Sequence, residues 1–264
     1  MQIFSKKPLF RLSTLFSLLL GLGLTVNINS VVKAETAATA PQELKQILNN
    51  LQTVANKKDV SEIMNFYSDQ FTNSDGLDYQ NLSEIIKSIW SNYPDLTYSI
   101  ELESWEQKDD EIVTETTTYM RGSSRQKGRL IFLNSSLRSR QYWSNQKIVR
   151  QEILAEQTRL STGIKPPNIQ VNIPEKVKLG QEFNLDIIVT EPLGEEVLLG
   201  AVVKEETNTN LYLNPSSFEL EVLPAGGIFK IINPDKVGNE WLSAILIRSD
   251  GITSLTQRVI VEEK

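Results

Sequence analysis

The spacing of apolar residues changes once along this chain, at Pro94, and that change constrains the fold more than any other feature. Before it, Leu44, Ile47, Leu48, Leu51, Val54 and Ala55 recur at helical spacing, with Pro41 suited to a first turn. Asp59 and Glu62 form a capping-box-like start for a shorter helix whose apolar face is Val60, Ile63, Met64 and Tyr67. A third helix is expected from about Tyr79 to Tyr93, with Leu82, Ile85, Ile86, Ile89 and Trp90 on one side. Pro94 ends it, because proline cannot donate to a continuing helix.

From there the period is two. Thr97–Glu106 and Glu111–Arg121 read as one hairpin around Lys108-Asp109, and Leu130–Trp143 and Lys147–Thr158 as another around Asn145-Gln146. Pairing Trp105 with Ile112 places Tyr98, Ile100, Glu115, Thr117 and Tyr119 on one face. Pairing Trp143 with Ile148 places Glu152 opposite the face that carries Arg138 and Arg140. A slip of one residue in either pairing exchanges these faces.

Seven of the ten prolines lie from Pro166 onward, where alternation continues in short runs. These include Phe183 to Val189, Val197 to Val203, Ile228 to Ile232, and a hairpin of Trp241–Ile247 with Ile252–Val261 across Ser249-Asp250-Gly251. Short strands with frequent turns predict a β-sandwich over residues 168–264. The segment Ser161-Thr162-Gly163-Ile164-Lys165-Pro166-Pro167 reads as a linker, residues 161–167.

Two resemblances follow. Phe66-Tyr67-Ser68-Asp69-Gln70-Phe71, Trp90-Ser91-Asn92-Tyr93-Pro94-Asp95 and the Tyr142-to-Val149 hairpin make residues 35–160 similar to the nuclear transport factor 2-like (SnoaL-like) superfamily. Pro174 to Phe183, with Gly238-Asn239-Glu240-Trp241, resembles bacterial immunoglobulin-like domains. The whole chain is similar to exported cyanobacterial proteins that add a second domain to such a cone. The resemblance implies an α+β cone of three helices on a bent antiparallel sheet, followed by an all-β immunoglobulin-like sandwich. It also implies that any chemistry sits inside the cone, on a carboxylate and one or two tyrosines.

Lys6, Lys7 and Arg11 precede a 15-residue apolar run, Leu12 to Val26, and Val32-Lys33-Ala34 provides small or aliphatic residues for signal peptidase. Residues 1–34 are therefore expected to be a signal peptide cut after Ala34, the run being shorter than the roughly 20 residues of a spanning helix. The expectation is export to periplasm, thylakoid lumen or medium, with no membrane span after cleavage. That segment holds four basic residues and no acidic one, leaving 23 basic and 33 acidic residues beyond it, net −10. Nucleic acid, which is bound by displacing counterions with Lys and Arg, is a poor partner for such a chain.

The sequence contains no Cys and no His. That removes thiolate and imidazole catalysis, disulfides and thiolate metal sites. No cofactor or metal is expected: Gly21-Leu22-Gly23 falls in the leader, Ser124-Arg125-Gln126-Lys127 lacks companion motifs, and Asn73-Ser74-Asp75-Gly76 reads as a polar turn. Glu191, Glu195 and Glu196 read as a solvated hairpin tip. The candidate site residues are Tyr98, Glu115, Tyr119, Arg138 and Glu152, on the cone's strands. The leading expectation is a non-catalytic module for an unknown small ligand or an envelope protein, with a homodimer through the cone sheet as a possible assembly. The alternative is a cone-pocket enzyme of isomerase, dehydratase or hydrolase type using Glu115 with Tyr98 or Tyr119.

Overall fold

The computed structural model describes residues 34–213, 216–223 and 226–264. The expected leader, apart from Ala34, lies outside the described residues. Among those residues no helix is long and apolar enough to cross a membrane.

Strand β1 (Glu35–Thr36) leads through a 3-10 turn (Ala37–Thr39) into helix α1 (Gln42–Lys57), followed by α2 (Val60–Met64), β2 (Tyr67–Asn73) and α3 (Tyr79–Asn92). The helices start where capping chemistry places them. Asp59 accepts from the amides of Ser61 and Glu62 at 2.9 and 3.0 Å, and Asp78 accepts from that of Asn81 at 2.8 Å. Leu44, Leu48 and Leu51 of α1 are buried with Phe71, Trp90, Trp143 and Ile148 in one core. Tyr67, read on the apolar face of the second helix, instead begins a strand, Tyr67–Asn73, that runs parallel to β6.

Four long strands follow: β3 (Thr97–Lys108), β4 (Glu111–Gln126), β5 (Arg129–Ser144) and β6 (Lys147–Gly163). Asn145 and Gln146 both take positive φ, 50° and 63°, as a two-residue turn between twisted strands requires. The rest comprises β7 (Ile169–Asn172), β8 (Lys176–Lys178), β9 (Phe183–Val189), β10 (Leu199–Glu206), α4 (Thr209–Leu213), β11 (Glu221–Val222), β12 (Gly227–Ile232), β13 (Gly238–Arg248) and β14 (Gly251–Glu262).

The two halves are not independent units among the described residues. Among the described residues one 11-stranded sheet runs β1-β3-β4-β5-β6-β14-β13-β10-β11, with β2 on β6 and β8 on β14. The expected cone followed by a separate immunoglobulin-like sandwich is thereby corrected: the molecule is mostly β, and its main sheet passes through both halves. Only β12, β9 and β7 make a second, three-stranded sheet. It packs on β13 and β14 through Leu185, Ile187, Ile228, Leu246, Leu255 and Val259.

The reason lies in the end of β6. Once β2 has left it, the backbone groups of residues 157–163 would form a bare edge. Antiparallel pairing with β14, from Gly163↔Gly251 to Gln157↔Gln257, satisfies them. The expected linker is tied in as well: Ser161 to Gly163 belong to β6, and the Pro167 carbonyl accepts from the Thr253 hydroxyl at 2.7 Å.

Candidate functional site

The helices and one face of the sheet line a cavity of about 220 Å³. Its wall is apolar where the helices form it, with Leu51, Ala55, Ile85, Ile86 and Ile89. The strands contribute polar groups: Tyr98, Gln141, Gln151 and Glu156, with Tyr67 from β2 and Tyr212 from α4.

Each is positioned by local bonding. Helix α1 is fastened to β3 by side chains one turn apart: Asn56 donates to the Tyr98 carbonyl and accepts from its amide, and Gln52 accepts from the Ile100 amide. These bonds satisfy an edge that β1 covers only at Ser104 and Trp105. The Trp90 indole donates to the Tyr98 hydroxyl at 2.7 Å, the rings meeting edge to face. Gln151 donates to Ser139, and Gln141 accepts weakly from Thr114.

Burial pushes the Tyr98 and Tyr67 phenols up to about 12, since a phenolate there would lose its hydration. In unfolded chains a phenol titrates near ~10. Both groups therefore hold their protons longer in the fold, and their contribution to stability is full below about pH 10 and lost as pH rises towards about 12. The expected result is a late phase in the alkaline tyrosinate absorbance titration that shrinks in Tyr98→Phe. A titration in which every phenol ionises together near the ordinary value would contradict the buried placement.

At one end of the cavity lies a charged network that joins the two halves. Arg258, on β14, donates to both carboxylate oxygens of Asp75 at 2.8 and 2.7 Å and to Glu156 Oε2 at 2.9 Å. Both the Arg258 and Asp75 side chains are fully buried. The Trp241 indole donates to the same Glu156 oxygen at 2.9 Å, and the Tyr212 hydroxyl donates to Asp75. Tyr212 and Trp241 meet edge to face with centroids 4.8 Å apart. Burial opposes the Arg258 charge, but the Asp75 hydrogen bond and the charges of Glu156 and Asp75 more than offset it and raise its pKa. Burial first, then the same two carboxylates, hold the Tyr212 phenol far above its usual range.

The five expected site residues do not converge. Tyr98 faces the cavity. Glu115, Tyr119, Arg138 and Glu152 lie on the opposite face of the sheet. Glu103 is the cause: it is the extra residue between the Leu102↔Thr116 and Ser104↔Glu115 pairs, a bulge that reverses the face relation along β3. Tyr98 consequently stands opposite Met120, with Tyr119 turned away. A further bulge in β6, at Val149, puts Glu152 beside Arg140. Glu115 and Glu152 both pair with Arg140, Glu152 also with Arg150 and the Tyr142 hydroxyl, and Arg138 with Glu175. This is a salt-bridged outer face.

Sequence reasoning missed Asp75, Glu156, Tyr212, Trp241 and Arg258 as a group. One signal was available: Arg258 interrupts the apolar positions of β14, and a buried arginine requires a partner. Glu191 and Glu196, expected at a solvated tip, instead pair with the buried Arg248.

Comparison with known proteins covers the chain in parts. Residues 164–262 match a domain of unknown function, DUF8623. No curated protein matches the chain. Among solved structures, Bd1075 of Bdellovibrio bacteriovorus is 17% identical over 42% of this chain and 40% of its own, with a TM-score of 0.31. An M. tuberculosis LEH-like epoxide hydrolase is 6% identical over 41% of this chain and 78% of its own, at 0.30. The epoxide hydrolase/cyclase-like enzyme SalBIII, with a role in pyran ring formation in the polyether salinomycin, is 16% identical over 42% of this chain and 89% of its own, at 0.30. The aligned stretch is thus about two fifths of the Bdellovibrio protein and of this chain.

Proposed function

We propose that the protein is an exported, non-catalytic binding module whose helical half, nuclear transport factor 2-like in kind, takes a small and largely apolar molecule. The leader-like residues 1–34 support export, with cleavage after Ala34 and residence in periplasm, thylakoid lumen or medium. The observation that carries the binding reading is the cavity of about 220 Å³, apolar on its helical wall and mixed on its strands, where Ile100, Met120, Leu137 and Ile153 stand among the polar groups. A dry cavity of about 150 Å³ takes benzene, so this one suits a one- or two-ring ligand with a single polar end. Among the described residues the Tyr67 hydroxyl has no protein partner and is placed to meet that end.

Binding fits this wall better than proton transfer does. A general base near neutral pH needs a free titratable group. In the cavity, one Glu156 oxygen accepts from both Arg258 and Trp241, and Tyr98 and Tyr67 keep their protons to about pH 12. Glu115, the carboxylate on which the enzyme reading depended, lies on the other side of the sheet.

The test is titration of the mature chain with 1-naphthol, followed by intrinsic fluorescence from Trp90 at the cavity wall. Saturable binding is expected, with affinity reduced roughly tenfold or more in Ala55→Leu, which fills the void with three carbon atoms. Equal binding by wild type and variant, or a signal that never saturates, would remove the cavity from the account. Turnover of styrene oxide that is lost in Glu156→Gln would replace binding by catalysis.

A further inference from the structure

Continuity of the sheet creates a second concave site, on the face away from the cavity. Tyr119, Ser136, Gln157 and Gln257 are successive cross-strand partners on β4, β5, β6 and β14. They form one row across the junction, at the strand spacing of about 5 Å. Thr117, Arg138 and Ala155 make a parallel row beside it. Val171, Ile173 and Glu175 rise over both rows, and the result is a groove of about 350 Å³.

The polar groups in this groove are set but under-used. Gln157 donates to Gln257, which donates to the Ile173 carbonyl, both at 2.8 Å, so the two amides are locked in orientation. Gln157 keeps its carbonyl oxygen as an acceptor. Among the described residues neither the Tyr119 nor the Ser136 hydroxyl has a partner. Arg138 commits one terminal nitrogen to Glu175 at 2.8 Å, while 40% of its side chain stays exposed.

We propose that this groove binds a neutral saccharide. Donors and acceptors stand side by side in it: the two hydroxyls and Arg138 donate, and Gln157 and Glu175 accept. A sugar presents that mixture on adjacent ring carbons. The Tyr119 ring and the Val171–Ile173 wall supply apolar surface for its C–H faces. An anion is disfavoured, because Glu175 cancels Arg138 locally and the chain beyond Ala34 carries net −10.

The experiment is a printed array of neutral, sialylated and sulfated oligosaccharides probed with the full mature chain. Retention on neutral saccharides is expected, weakened roughly tenfold or more by Tyr119→Ala and by Arg138→Ala. Tyr119→Phe, which keeps the ring and guards against loss of fold, is expected to weaken it less. Ala55→Leu, which fills the other cavity, is expected to bind as wild type does, so the two sites fail or succeed separately. No retention, retention on acidic oligosaccharides alone, or retention unaffected by Tyr119→Ala and Arg138→Ala would each overturn the assignment.

Discussion

Replacing Arg258 with leucine is expected to cost about 3–5 kcal/mol, enough to unfold much of a protein of ordinary stability. The magnitude comes from what is left behind. Asp75 would keep a carboxylate with no exposed surface and no cation, and Glu156 would keep only the Trp241 indole on its bonded oxygen. Tyr212 would still donate to Asp75, but one phenol does not balance a buried charge. Urea denaturation measures the loss, and a cycle with Asp75→Leu separates the pair from its surroundings. Because both charges leave together in the double variant, it is expected to lose less than the two single losses combined. A loss near 1 kcal/mol for Arg258→Leu would mean that water reaches the pair and the network is not the dry junction described above. Local release has its own readout: the segment bearing α4 is expected to become more sensitive to limited proteolysis once Tyr212 loses its anchored acceptor.

How much of this could be read in advance follows from the range of the interactions. Helices α1, α2 and α3 were legible because their signals are local: apolar spacing, Asp59 as the cap of α2, Pro94 as a stop. The Asn145-Gln146 turn was legible for the same reason, and with it the Trp143↔Ile148 pair. The faces beyond that pair were not. A bulge leaves no mark in an alternating pattern that already mixes Thr, Ser and Glu, and each one reverses which residues face inward. Glu103 alone was enough to separate Tyr98 from Tyr119 and Glu115. Arg258 and Asp75 are far apart in the chain, as are Gln157 and Gln257, so no local window contains the network or the groove. Ser161 to Gly163 carried turn signals that were accurate about backbone geometry: they mark a seam in one sheet, where a linker between domains was expected.

That seam makes Gly163→Ala the other substitution with a large expected effect. Gly163 has φ of +103°, and a Cβ there would lie 2.3 Å from the Asp250 carbonyl oxygen and 2.6 Å from the Gly251 Cα. Both obstacles are backbone, so no side-chain rotation relieves them. Gly251, its register partner, is closed in from the other side, since a Cβ there would meet the Pro166 N and Cα at 2.4 Å. The strands can separate only by giving up the bonds between β6 and β14. The left-handed conformation costs about 1–2 kcal/mol for alanine and the overlap about 1–3 more, so a loss of about 3 kcal/mol is expected. Gly128→Ala is the control, with φ of +79° and nothing within 4 Å of the added carbon. It is expected to lose about 1 kcal/mol for backbone conformation alone. Hydrogen exchange locates the damage: β14 amides bonded to β6 are expected to exchange faster in Gly163→Ala, while those bonded to β13 stay protected. Equal losses in the two variants would mean that residues 161–167 yield as a flexible linker does, and that the halves are joined less tightly than one continuous sheet requires.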